Sequence, residues 1–151
     1  MPGFRPLFAQ VQDYLAEAIS AQLAALPDEV ASSLGYPAGG FQDRQVWVSG
    51  AVEAAQPYHL SGFGQRAEEG DVRVQILVTM TSDSMAEPRD EAIALAGVVE
   101  DVLAEDRTLG GLVDSASVAG TTGEEGIPEE RTRQYGITLR VAYSGSVAPD
   151  A

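Results

Sequence analysis

The sequence of 151 residues contains no cysteine and no lysine, and its only histidine is His59. The absence of cysteine excludes disulfides, thiolate nucleophiles and cysteine-ligated zinc together. No apolar run approaches the roughly 20 residues that a membrane-spanning helix needs, so we expect no contact with a membrane. The first residues also lack the basic and apolar segments of a secretory signal, which indicates a protein made in the cytoplasm.

All 9 basic residues are arginines, and 23 acidic residues give the chain a formal net charge of −14. This balance opposes tight binding of nucleic acid, because affinity for phosphate depends on basic side chains that displace counterions. It suits either ordinary solubility or a surface that DNA slides past without adhering. The length and the apolar fraction of 44% predict one domain over residues 1–151. We expect frayed ends of about six residues at the N-terminus and about seven at the C-terminus.

Residues 8–26 and 87–106 each predict an amphipathic helix, because their apolar side chains recur every three or four positions. Pro27 is expected to end the first helix. A capping box from Ser84 to Glu87 is expected to begin the second. Residues 31–43 are rich in serine, glycine and proline, and we predict a loop there.

Three segments alternate with the period of two that marks a half-buried strand: 44–55, 71–81 and 133–143. Residues 112–118 are a fourth candidate strand, and Gly50 indicates either a bulge or a close approach of another main chain. We predict loops at 56–70 and 120–130. Two helices and about four strands predict an α+β two-layer sandwich, with a largely antiparallel or mixed β-sheet and both helices packed on one face. The opposite face is left for water or a partner and carries Arg73, Gln75, Leu77, Thr79, Thr138 and Arg140.

No pattern in the sequence predicts a catalytic site, a cofactor or a metal centre. His59 and Ser61 lie two residues apart in a glycine-rich segment, where nothing orients them as a base and a nucleophile. The acidic clusters at 100–106 and 124–130 lack the spacing of a calcium-binding loop, and no phosphate-binding glycine motif occurs. We therefore predict a protein that is not an enzyme.

Acidic residues also crowd the C-terminal end of the second predicted helix, where the helix dipole disfavours negative charge. Glu105 and Asp106 lie there, and Arg107 is the one basic residue beside them. Two explanations stay open. Either the protein is acidic throughout its surface, or a neighbouring subunit supplies arginine to this end.

From residue 46 to residue 143 the chain runs through a strand, a loop that bears Arg66, the strand 72–81 and a helix. The motifs that follow are Val102-Leu103-Ala104-Glu105-Asp106, then Leu109-Gly110-Gly111-Leu112-Val113, and finally Tyr135-Gly136-Ile137-Thr138-Leu139-Arg140-Val141. This succession, which covers about two thirds of the chain, resembles the tail terminator (tail completion) proteins of tailed bacteriophages.

The resemblance implies a virion structural protein of the tail neck, assembled in the host cytoplasm. Such proteins form a ring, commonly homohexameric, that sits on the last ring of the tail tube and stops its polymerisation. The ring then offers a docking surface to head–tail connector or stopper proteins, and genomic DNA passes non-specifically through its channel. The partners that the resemblance implies are therefore further copies of the chain, the tail tube protein and the connector.

A cyclic ring requires heterologous contacts, in which one patch meets a different patch on the next copy. We expect the ring and tube contacts on the open sheet face, at the end of the second helix and in the loops at 56–70 and 121–131. The candidate interface residues are Arg66, Arg73, Gln75, Leu77, Thr79, Glu105, Asp106, Arg107, Arg131, Arg133, Thr138 and Arg140.

Two alternatives stay open on the sequence. The first is another neck protein, a head–tail connector or stopper, which also forms rings but meets the portal side. The second is a small non-viral α+β domain that binds a ligand or acts as an enzyme through a pocket between the helices and the sheet. A discrete higher-order mass favours a ring, whereas a pocket protein is usually a monomer or dimer.

Overall fold

The computed structural model of the chain describes residues 6–55 and 66–147. Two helices lie within these ranges, α1 (Leu7–Ala24) and α2 (Ala86–Glu105), together with five strands: β1 (Ala31–Leu34), β2 (Arg44–Ala55), β3 (Arg66–Thr81), β4 (Ser115–Glu129) and β5 (Thr132–Val147). The strands form one sheet in the order β1-β2-β3-β5-β4, in which β1 and β2 are parallel and the other neighbours are antiparallel. The predicted α+β class is confirmed, with five strands in place of about four.

Both helices pack on the same face of the sheet, because each presents one apolar stripe and the strands alternate. Their buried side chains form a single apolar cluster with every second residue of the three central strands. The members that are almost fully buried include Val11, Leu15 and Ile19 of α1, Val99 of α2, Val72, Val74, Ile76 and Val78 of β3, and Leu139 and Val141 of β5.

Several predictions of loop are wrong. Residues 31–34 form β1, a four-residue edge strand too short to show alternation. Residues 120–129, also predicted as loop, belong to β4, which pairs with β5 from Ser115 opposite Ser144 to Glu129 opposite Thr132. This half of β4 is rich in glycine and glutamate and exposed, so main-chain hydrogen bonds rather than apolar burial hold it in the sheet.

The strands also extend further than predicted at their ends. Residues 66–70 belong to β3, and residues 145–147 continue β5 into the segment predicted as frayed. The rest of the predicted loop, residues 56–65, lies outside the described residues, as do the terminal residues 1–5 and 148–151. Both strands extend to these ends because the main chains of β3 and β5 pair from Arg66 opposite Val147 onwards.

The bulge predicted at Gly50 is present, since the register between β2 and β3 shifts between Val48 and Val52. Gln12 of α1 is buried, and its Nε2 donates to the carbonyl of Ser49 at 2.9 Å and to that of Gly50 at 3.4 Å. A bulge interrupts the ladder of main-chain hydrogen bonds. The Gln12 amide therefore supplies donors at this point and ties α1 to the sheet.

The predicted capping box of α2 is wrong. Met85 is the residue that precedes the helix, and Ser84 Oγ accepts a hydrogen bond from the Ala86 N–H at 3.2 Å. A capping box would need Ser84 itself to precede the helix and to accept from the N–H of Glu87. The helix begins one residue later than the box requires, so Ser84 caps a turn instead.

Gly70 of β3 lies opposite Tyr143 of β5 and leaves room for its ring. A Cβ atom on Gly70 would lie 2.6 Å from the Tyr143 hydroxyl oxygen and 2.8 Å from the carbonyl oxygen of Glu53. Contacts this short cannot be kept, and the carbonyl belongs to the main chain of the neighbouring strand. Glycine is therefore required at position 70, where the Tyr143 ring lies against β3.

We expect Gly70→Ala to lower the free energy of unfolding by about 1–3 kcal/mol, because Tyr143 or β2 must move. The matched control is Gly50→Ala, whose added Cβ meets no atom within 4 Å. It should change stability by less than about 0.5 kcal/mol. Urea unfolding of both variants checks this, and equal midpoints would show that the close approach at Gly70 is not a constraint.

Candidate functional site

The face of the sheet opposite the helices is where the sequence predicts partner contacts. Across β3 and β5, Gln75 lies opposite Thr138 and Arg73 opposite Arg140. The Thr138 hydroxyl donates to Gln75 Oε1 at 3.2 Å, and Gln134 Nε2 donates to Thr79 Oγ1 at 3.2 Å. The two central strands therefore bring together six predicted residues on one surface: Arg73, Gln75, Leu77, Thr79, Thr138 and Arg140.

Arg73 and Arg140 place two positive charges directly opposite each other, an arrangement that destabilises a sheet unless it is offset. Carboxylates lie diagonally: Glu53 Oε1 is 3.9 Å from Arg73, and Asp71 Oδ2 is 3.8 Å from Arg140. Both arginine side chains are about half-exposed, so each ion pair contributes at most about 1 kcal/mol. Since a guanidinium carries five N–H donors, both groups keep donors for an anionic partner.

An aromatic cluster covers the neighbouring part of the same face. Trp47 lies opposite Gln75 and therefore faces away from the helices. The centroid of its ring is 5.9 Å from that of Tyr36 and 5.3 Å from that of Phe41. Trp47 is 6% exposed, whereas Tyr36 and Phe41 are 77% and 53% exposed. Large exposed apolar groups that touch one another mark interaction surfaces more often than isolated ones do.

Trp47 Nε1 is buried and finds no hydrogen-bond acceptor among residues 6–55 and 66–147. Nearly all buried polar groups in proteins have a partner, so this donor requires an explanation. The sequence analysis missed the cluster because Tyr36 and Phe41 lie in the segment predicted as a loop. The available signal was Trp47 itself, a large apolar residue out of phase with Val46 and Val48.

The other candidate interface residues lie away from the open face. Arg107 is exposed after α2, and Arg131 occupies the β4–β5 turn with a φ of 77°. Arg133 lies opposite Met80, in phase with the side chains that face the helices. Arg66 begins β3, and its side chain lies outside the described part of the chain. Their interface roles, and that of Glu105 at the end of α2, stay predictions.

Asp106 has a local structural role. Its Oδ1 accepts hydrogen bonds from the N–H of Thr108 at 3.0 Å and from the hydroxyl of Thr108 at 2.7 Å, and Oδ2 accepts from the N–H of Gly110 at 2.8 Å. The hydroxyl of Thr108, followed by the two N–H groups, lowers the pKa of the Asp106 carboxyl. The turn after α2 thus stabilises this carboxylate near the negative end of the helix dipole.

A buried carboxylate that the sequence analysis did not single out joins α1 to the sheet. Glu68 is fully buried, and its Oε1 accepts a hydrogen bond from the N–H of Leu7, the first residue of α1, at 3.2 Å. Its Oε2 accepts from the Tyr143 hydroxyl at 2.6 Å. Pro6, which precedes α1, makes no side-chain cap. A carboxylate is favoured at a helix N-terminus by the free N–H groups and the dipole, so Glu68 caps α1 from the sheet.

Burial raises the pKa of the Tyr143 hydroxyl above its usual value of 10.0, and the hydrogen bond to Glu68 adds to this effect. The hydroxyl therefore stays protonated and remains a donor. The arrangement is a structural clamp, since Glu68 and Tyr143 are both buried and join the N-terminus of α1 to β3 and β5.

No group of three or more histidine, aspartate or glutamate side chains within 6–55 and 66–147 is arranged to hold a metal ion. A groove of about 560 Å³ lies beside Glu53, Glu69 and Asp71 and is otherwise lined mainly by alanine and serine. His59 and Ser61 lie outside the described residues. Neither described helix is long and apolar enough to cross a membrane.

The fold is a mixed five-stranded sheet covered on one side by two helices, and a chain of a solved virion structure has a similar fold. A chain in the structure of the virion of a native gene transfer agent particle matches with a TM-score of 0.53 at 15% identity. The match covers 87% of this chain and 95% of that chain. At this identity it shows a shared fold. No protein-family model and no curated protein matches the chain.

We expect Tyr143→Phe to lower the free energy of unfolding near neutral pH by about 1–3 kcal/mol, because Glu68 loses a charge-assisted hydrogen bond. The pKa of Tyr143 is raised in the folded protein. Its contribution is therefore full below the usual value of 10.0 and is lost as the pH rises above it.

Urea unfolding of wild type and Tyr143→Phe from pH 7 to pH 11 (roughly the range over which the tyrosine titrates) checks this. The difference between the two proteins should shrink above pH 10. Tyr36→Phe, at an exposed ring, is the control and should cost less than about 0.5 kcal/mol at neutral pH. A difference that stays constant to the alkaline limit would contradict the clamp.

Proposed function

We propose that this chain is a structural protein of a phage-like virion and that it closes the head-proximal end of the tail tube. The observation that carries the proposal is the fold match to a chain of the gene transfer agent virion, which covers 87% of this chain and 95% of that chain. Coverage this complete on both sides means that the two chains share a whole architecture rather than a common supersecondary motif.

The more specific role, tail terminator, rests on the order of elements from residue 46 to residue 143. In this role copies of the chain form a ring, commonly homohexameric, on the last ring of tube protein. The ring stops polymerisation and receives the connector or stopper protein, and DNA passes through its channel. A net charge of −14 supports passage without adhesion, because few basic groups are present to hold phosphate.

The surface supports assembly better than ligand binding. Small-molecule sites are mostly apolar clefts with a few convergent polar groups. The groove beside Glu53, Glu69 and Asp71 is instead acidic and lined mainly by alanine, serine and Tyr143. A mainly apolar cleft beside the Arg44–Glu91 ion pair has a volume of only about 160 Å³, which is small for such a site. The exposed aromatic rings lie on the open face of the sheet together with arginines that keep unused N–H donors. This combination is suited to contact with another protein.

Deletion of this chain from the genome that encodes it should give tails of uncontrolled length that do not join heads. Electron microscopy of purified particles measures both properties, and supplying the chain in trans should restore them. Deletion of a connector protein from the same genome is the control, since it blocks joining but leaves tail length fixed. Fixed-length tails without heads would therefore favour the alternative neck role, and normal particles would contradict a structural role altogether.

A further inference from the structure

The open face carries two kinds of contact group side by side. The aromatic–arginine surface consists of Tyr36, Phe41 and Trp47 together with Arg73 and Arg140. Trp47 lies opposite Gln75 on the neighbouring strand, Arg73 is two residues further along β3, and Arg140 is on the strand beyond. With strands about 4.8 Å apart and a rise of about 3.4 Å per residue, the arginines lie roughly 8–12 Å from Trp47. An occupant needs an apolar group and carboxylates at that separation.

The buried Trp47 Nε1 adds a second requirement. It has no acceptor within the described part of the chain, although the indole is 6% exposed. The rings that touch it, Tyr36 and Phe41, are themselves largely exposed. Because the Nε1 atom is itself closed to solvent, a main-chain carbonyl of an occupant can supply the acceptor only if the rings that touch Trp47 move on binding.

The acidic hairpin, residues 121–131 at the opposite edge of the sheet, has this composition. It comprises the outer half of β4 and the turn to β5, and nearly all of it is exposed. Ile127 is 64% exposed and lies between Glu124 and Glu125 on one side and Glu129 and Glu130 on the other. The four glutamates lie two or three residues from Ile127, beside a register irregularity in β4 between Gly126 and Glu129, and are therefore within roughly 7–10 Å of it along the strand. This spacing fits the separation of the aromatic rings from the arginines.

The hairpin is far from the aromatic rings of its own chain. Strands β3 and β5 lie between β2, which carries Trp47, and β4, which carries the hairpin, so these two strands are held roughly 14 Å apart in one continuous sheet. Contact between them must join two copies. Because the two patches differ, the contact is heterologous, and its repetition closes a ring or continues as a filament.

We infer that the acidic hairpin of one copy docks on the aromatic–arginine surface of a second copy, with Ile127 against Tyr36 and Phe41 and its glutamates against Arg73 and Arg140. This inference rests on the proposed function, since it names the two surfaces through which the subunits of the ring meet. The opposite charges of the hairpin and the arginine pair orient the two copies, and burial of Ile127 and the aromatic rings stabilises the contact.

Disulfide cross-linking tests the contact directly, because the natural chain has no cysteine. The double variant Phe41→Cys with Ile127→Cys should give a ladder of covalent multimers on a non-reducing gel, since each copy can bond to two neighbours. Each single variant should give no ladder. The control pairs Ile127→Cys with Ile93→Cys, which is 54% exposed on α2, and should also give none.

One-sided variants provide a second test. Phe41→Asp and Ile127→Asp should each weaken self-association by about tenfold or more. Mixed together they should form dimers and nothing larger, because each variant retains one intact patch. Arg140→Glu should weaken assembly similarly, and Glu124→Arg with Glu125→Arg in the same chain should restore it. Arg89→Glu, on the outer surface of α2, is the matched control and should have no effect.

The outcomes separate this inference from the proposed function. If the wild-type chain caps tubes but the double cysteine variant forms no ladder alone or on tubes, the docking contact is wrong and the virion role stands. If the ladder forms but the chain is absent from purified particles, the contact stands and the virion role is wrong. A chain that stays monomeric on tubes and in solution, without cross-links, overturns the inference.

Discussion

The structure depends on the long antiparallel pairing of β3 with β5, which runs from Arg66 opposite Val147 to Thr81 opposite Thr132. This register decides which side chains of the two central strands face the helices and which face away from them. Val74 and Leu139 turn inwards, while Arg73 and Arg140 turn outwards as a consequence of the same pairing. A shift of one residue would exchange the two faces, so the apolar core and the open face are specified together.

The sequence predicts those helices and strands in which buried apolar residues recur at a regular spacing. Both helices, the core of β3 and the closing strand β5 follow from such periods, as do the open face and its pair of arginines. It does not predict β1 or the outer half of β4, because main-chain pairing rather than burial holds these edge strands. Glu68, Gln12 and the aromatic cluster around Trp47 were also missed, since each depends on a partner distant in the chain. The sequence alone does not distinguish Glu68 from a solvated glutamate, because its partner, the N-terminus of α1, is about 60 residues away in the chain.

The two faces of the sheet carry different kinds of side chain. The covered face holds the core and the clamp of Glu68 with Tyr143, which fixes α1 to the sheet. The uncovered face holds half-exposed arginine ion pairs, which contribute little to the stability of a single copy, and the exposed rings of Tyr36 and Phe41. The proposed function assigns these groups to contacts with other proteins.

The most direct test of the central claim is native mass spectrometry of the purified chain, alone and mixed with the tail tube protein of the same genome. The account predicts a discrete ring of about six copies, either free or bound to tube ends, that fixes the length of the tubes. A chain that stays monomeric and leaves the tube protein to polymerise without limit would contradict it.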